Sequence, residues 1–178
     1  MATVEESSAI QGVVVVEPQV WGDDRGLFVE TYRQEWIPGA PVMIQANRAD
    51  RKAGALVGLH YHLHQADYWY VPFGRALVAL HDLRESSGTC GKSLTLEIGP
   101  HNHAGVYIPR GVAHGFYALT DLTITYLVDG YYNPDDELGV AWDDPALNID
   151  WPDPHPVLSA RDEQNPRVAD IPDALRPR

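Results

Sequence analysis

Three histidines at alternate positions, His60, His62 and His64, followed by Asp67, carry the densest chemistry in the chain. They lie in Gly58-Leu-His-Tyr-His-Leu-His-Gln-Ala-Asp-Tyr-Trp-Tyr-Val-Pro-Phe-Gly74. In an extended segment the side chains alternate between faces, so the three imidazoles share one face and Tyr61 and Leu63 take the other. A lone histidine is more often a surface residue or a hydrogen-bonded core residue than a ligand or a catalyst. Three on one face with a carboxylate nearby point instead to a functional site, built for proton transfer or for metal binding.

The elements that must position these residues read as short strands. Gly12–Trp21 is β-branched and interrupted at Pro18, Gly22–Gly26 is a turn, and Leu27–Tyr32 alternates as a second strand. Pro41–Asn47 is a further strand candidate, with a basic turn holding Arg48, Arg51 and Lys52 behind it. Ala66–Val71 and Arg75–Leu83 read as strands paired across Pro72-Phe-Gly74. Ser93–Ile98, Ala104–Ile108, Ala113–Leu119 and Leu122–Val128 continue the rhythm between turn residues, which marks a sandwich or barrel. No segment has a sustained helical period. From about Asn133 the composition turns to Asp, Pro and Trp, which predicts irregular structure lying over the β-core. Residues 1–9 read as a loose leader.

The 178 residues fit one domain, 1–178, with room for a sizeable core. With 25 acidic against 13 basic residues the net charge is −12, which argues against nucleic acid or an anionic membrane as a general partner. An anionic small molecule would need locally placed arginines. One cysteine, Cys90, excludes an internal disulfide, and neither a signal peptide nor a membrane-spanning run is evident. A soluble cytoplasmic protein is expected.

The spacing Gly58-x-His60-x-His62, then Asp67, then Gly74, with Gly105-x3-Pro109-x-Gly111-x2-His114 downstream, resembles the two motifs of the cupin superfamily. That resemblance implies an all-β, cupin-type double-stranded β-helix, or jelly roll, with an irregular C-terminal segment. Side chains on neighbouring strands of such a barrel converge on one cavity. His60, His62, Asp67 and His114 then form a ligand set suited to Fe(II), Mn, Ni or Zn.

A longer series of segments resembles the dTDP-4-dehydrorhamnose 3,5-epimerase family. These are Asp24-Arg-Gly-Leu-Phe-Val-Glu, Gln45-Ala-Asn, Gly58-Leu-His-Tyr, Ile108-Pro-Arg-Gly-Val-Ala-His-Gly-Phe, Tyr131-Tyr-Asn-Pro, Trp142-Asp-Asp-Pro-Ala-Leu, Ile149-Asp-Trp-Pro and Leu158-Ser-Ala-Arg-Asp. They span a core of about residues 12–166. The resemblance implies a homodimer whose N-terminal strands join the partner's sheet, and an isomerase of deoxysugar biosynthesis that uses no cofactor. Its substrate would be a dTDP-4-keto-6-deoxyhexose. By match to the family, His60 is the base, Asp162 fixes its tautomer and Tyr126 is the acid. Arg25, Phe28, Glu30, Gln45, Asn47, His114 and Tyr132 fall at positions that line the nucleotide-sugar site. Taken alone, Tyr126 would pass for β-core, Asp162 for a cap or turn residue, and His114 for a barrel histidine that orients its neighbours.

Two positions depart from the family pattern. Val57 stands where the family has an arginine for the diphosphate, and a neutral branched side chain cannot replace a bidentate phosphate contact. Asp67 aligns with a lysine that supports the enolate oxygen, and a carboxylate there would repel an enolate. Arg48, Arg51 and Arg110 are the candidates to compensate for the missing arginine. The principal expectation is an epimerase acting at C3, C5 or both. The alternatives are a metal-dependent cupin using a divalent transition metal on His60, His62, Asp67 and His114, and a non-catalytic sugar-nucleotide-binding cupin. A metal-free arrangement like that of the sugar 3,4-ketoisomerases rests on the His60-x-His62 pair alone.

Overall fold

The computed structural model describes residues 1–178. Its strands are β1 (Thr3–Glu6), β2 (Val14–Glu17), β3 (Val20–Asp23), β4 (Gly26–Val29), β5 (Gln45–Arg51), β6 (Leu56–Tyr61), β7 (Asp67–Phe73), β8 (Ala76–Asp82), β9 (Ser93–Ile98), β10 (Gly105–Ile108), β11 (Val112–Ala118), β12 (Leu122–Val128) and β13 (Leu138–Gly139). One sheet runs β1-β2-β10-β7-β12-β5, a second runs β13-β6-β11-β8-β9, and β3-β4 form a hairpin of their own. Only 3₁₀ turns accompany the strands, and no helix is long and apolar enough to cross a membrane. The fold is the expected all-β, cupin-type jelly roll.

Alternation along the strands builds the core. Trp69 and Val71 of β7, Val78 and Leu80 of β8, Val112 and Phe116 of β11, and Leu122 and Ile124 of β12 all point between the two main sheets. Each such side chain contributes roughly 1.5–3 kcal/mol by leaving water. The opposite face of β6 carries Leu59 and Tyr61, which pack with Leu83 and Ala113 against Val140, Leu147 and Ile171. The segment after β13, built of 3₁₀ turns such as Pro145–Leu147 and Asp162–Gln164, therefore lies over the second sheet, as its composition predicted.

Four sequence expectations are corrected. The leader is not loose throughout: Thr3–Glu6 pairs with β2, although all four residues are exposed and nothing in their pattern reveals it. The third strand begins at Gln45 rather than Pro41, so Arg48 and Arg51 sit on β5 and not in a turn. The segments on either side of Pro72-Phe-Gly74 do not pair with each other: β7 lies between β10 and β12, whereas β8 lies between β11 and β9. Gly74, with φ +78, is a crossing between sheets, where an added Cβ would stand 2.2 Å from the Asp121 carbonyl oxygen. Finally, β6 ends at Tyr61, so the three histidines do not ride one strand, and His64 is exposed in the turn beyond it.

An irregularity between β6 and β11 aims the central residues. His114 pairs with His60, yet Phe116, two residues on, pairs with Val57, three residues back. The extra residue on β6 is a bulge, and it breaks the two-residue period so that Val57 and His60 both face the pocket between the sheets. Gly58 sits at the bulge with φ +102, and a Cβ there would lie 2.7 Å from the His114 carbonyl oxygen. Gly58→Ala should therefore cost about 1–3 kcal/mol of stability and most of the activity. A thermal melt unchanged from wild type would contradict this role for the bulge.

Candidate active site

The pocket lies between the sheets, with Val57 and His60 from β6, His62 just beyond it, Asp67 and Trp69 from β7, His114 and Phe116 from β11, and Ile124 and Tyr126 from β12. Ala49 and Arg51 of β5, Gln65 and Glu137 complete the lining. Its volume is about 180 Å³. Sites for drug-sized ligands run from about 300 to 1,000 Å³, so this chamber is scaled to a sugar ring and not to a whole nucleotide sugar.

His60 is joined to the C-terminal layer. Its Nε2 lies 2.6 Å from Asp162 Oδ1, with His60 partly exposed and Asp162 buried. Burial pushes the Asp162 carboxyl up, but hydrogen bonds from His60, the Ser159 hydroxyl and the Gly58 N–H outweigh it and hold the group below 3.8. Asp162 is thus an ionised acceptor, so His60 carries its proton on Nε2 and keeps the Nδ1 lone pair.

Tyr126 stands on the opposite wall. In β12 it follows Leu122 and Ile124 at the same two-residue spacing, so the alternation that buries those residues turns its ring into the chamber. Burial raises its pKa, and the negative charges of Asp67 and Glu137 raise it further against Arg51, so the phenol keeps its proton at neutral pH. His60 belongs to one sheet and Tyr126 to the other.

In the same pocket, His62, Asp67 and His114 are all buried, and their ligand atoms lie within 4.8 Å of one another. His62 Nδ1 donates to the Asp136 carbonyl at 2.7 Å and His114 Nδ1 to the Val112 carbonyl at 2.9 Å. The Trp69 ring meets His114 edge-on, with centroids 5.2 Å apart. Burial lowers the His114 pKa to about 4, opposed by Asp67 and assisted by His62, so this imidazole is neutral. Of the four residues considered together as ligands, these three converge, while His60 is held apart by Asp162.

The other predicted site residues are more dispersed. Gln45 and Asn47 bond to each other on β5. Glu30 faces Arg33, and Tyr132 is exposed. Arg25 and Phe28 line a cleft of their own in the β3-β4 hairpin, where Arg25 pairs with Asp23. Of the three arginines considered for the Val57 departure, Arg51 borders the pocket, whereas Arg48 pairs with Asp50 and Arg110 with Asp129.

Sequence reasoning missed Asp136 and Glu137. Asp136 accepts the Leu63 and His64 N–H groups on its carboxylate, and so clamps the chain as it leaves β6. The available signal was Asn133-Pro-Asp-Asp-Glu, where Asn133 caps a 3₁₀ turn by accepting from the Asp135 N–H.

The model of the family described as dTDP-4-dehydrorhamnose 3,5-epimerase matches residues 7–170. The chain belongs to that family. A Pseudomonas aeruginosa dTDP-4-dehydrorhamnose 3,5-epimerase is 38% identical over 170 residues, covering 91% of this chain and 94% of its own length. The Legionella pneumophila dTDP-6-deoxy-D-glucose-3,5-epimerase, solved with dTDP-4-keto-L-rhamnose, superposes with a TM-score of 0.94 at 30% identity, over 100% of this chain and 98% of the other. A 3′-monoepimerase from Streptomyces bikiniensis, solved with dTDP-quinovose, gives 0.89 at 34% identity, over 97% and 92%. Membership makes this epimerase-family chain an isomerase acting on carbohydrate.

The lowered pKa of Asp162 has a defined effect on stability. Its carboxylate stabilises the native state above the unfolded value near 3.8, and that contribution is lost as pH falls through the lower folded value. The stability difference between wild type and Asp162→Asn should hold constant near neutrality and shrink below about pH 4. Chemical denaturation across this range measures it, and a difference that grows on acidification would contradict the assignment.

Proposed function

We propose that the protein epimerises a nucleotide-linked 4-keto-6-deoxyhexose, the dTDP sugar by analogy with its relatives, at C3, C5 or both. The observation that carries this reading is the His60–Asp162 pair on one wall of a sugar-sized pocket with Tyr126 on the other. A proton on carbon next to a ketone can be removed only where a base reaches it and the resulting enolate is stabilised. The Nδ1 lone pair of His60 takes that proton, and the Asp162 carboxylate stabilises the imidazolium that forms. Inversion then requires a proton delivered from the other face, where Tyr126 holds one on its phenol. Val57 removes a charged phosphate contact from the rim, and Arg51 is the cation placed to take its part.

The reading includes a homodimer. Arg25 and Phe28 sit on a hairpin apart from both main sheets, and Trp21, Leu27 and Phe28 are 48%, 60% and 63% exposed. They serve a substrate if the hairpin lies against a second copy's pocket, which makes each site composite.

Incubation with dTDP-4-keto-6-deoxyglucose in D₂O should place deuterium at C3 or C5. His60→Ala should lower that exchange by about 10²–10⁴-fold. Mixing His60→Ala with Arg25→Ala subunits should restore turnover that each lacks alone. Exchange undiminished in His60→Ala, or none with any such sugar, would overturn the proposal.

A further inference from the structure

We propose that His62, Asp67 and His114 form a site for one divalent transition-metal ion on the pocket wall, separate from the His60–Asp162 pair. The three residues come from different places, the residue just after β6, the start of β7 and the middle of β11, so both sheets must fold to assemble the set. Their ligand atoms fall within 4.8 Å of one another. Three ligands about 2.1 Å from one tetrahedral ion stand about 3.4 Å apart, so side-chain adjustments on the order of an ångström close the set.

The tautomers suit ligation. Each imidazole donates Nδ1–H to a backbone carbonyl, His62 to Asp136 and His114 to Val112, which leaves each Nε2 with its lone pair. That is the outer-shell arrangement that orients metal-bound histidines. Asp67 is 3% exposed and accepts from Gln65 Nε2 at 3.0 Å and Trp69 Nε1 at 3.1 Å, but no Lys or Arg pairs with it. Buried charges are paired or bind metal, and a carboxylate with two donors still has lone pairs to give. Two imidazoles and one carboxylate favour Fe(II), Zn, Ni or Co over the hard cations Mg²⁺ and Ca²⁺. Three protein ligands leave the pocket side open. If the epimerase reading above holds, that opening lets the ion act as a Lewis acid on a substrate oxygen.

The test uses the untagged full chain, freed of metal by chelator and titrated with Zn²⁺. One equivalent should bind per chain. Asp67→Asn and His62→Ala should each weaken it by more than about 100-fold, since loss of even an outer-shell partner costs 10–100-fold. His60→Ala and His64→Ala should bind as wild type does. Thermal melts check that each variant folds, and the near-isosteric Asp67→Asn carries the test if His62→Ala does not. Absence of a stoichiometric site, binding that survives Asp67→Asn, or loss of binding in His60→Ala would overturn the proposal. Metal counting needs no substrate, so a failed epimerase assay leaves this result standing.

Discussion

The hydrogen bond between His60 and Asp162 ties the barrel to the segment that covers it. Burying an ionised carboxylate is costly unless it is well bonded, and Asp162 is 4% exposed. It is tolerated because His60, Ser159 and Gly58 supply donors, two of them from the bulged strand itself. The C-terminal layer brings it there by packing Val140, Leu147 and Ile171 onto the outer face of the sheet whose inner face carries His60. An apolar contact outside the barrel thus holds in place the carboxylate that bonds a side chain inside it.

The second constraint is the opposition of two sheets. Proton removal and proton return on opposite faces of a ring need groups on opposite walls, and His60 on β6 and Tyr126 on β12 line the pocket from different sheets. The bulge at Gly58 also places Val57 on the pocket side. The departures read at Val57 and Asp67 therefore fall in the pocket itself and not on a remote surface. The pocket carries Asp67 and Glu137 against Arg51, an acidic balance that disfavours an enolate and calls for a further positive centre.

Much of the barrel was legible because alternation is a strong signal where one face is buried. Ser93–Ile98 and Leu122–Val128 have the bounds their sequence predicts, and β10 and β11 lie within a residue of theirs at each end. Thr3–Glu6 was invisible because its pairing uses backbone groups alone. The false hairpin at Gly74 arose because a glycine that permits a turn looks the same in sequence as one that permits a close crossing. The proposed proton-transfer residues follow from family segments rather than from spacing, since Tyr126 and Asp162 have ordinary structural roles in isolation. The histidine run misled in one respect: alternation holds only while the strand lasts, so His64 left the face, while His62 joined Asp67 and His114.

The central claim is that His60 and Tyr126 act from opposite walls on one enolate. Tyr126→Phe separates removal of the proton from its delivery to the other face. With the dTDP-4-keto sugar in D₂O, the account predicts that this variant still exchanges hydrogen beside the ketone, because His60 can remove and return it on its own side, while inverted product falls by about 10²-fold or more. Inversion retained at the wild-type rate, or exchange and inversion lost together, would contradict it.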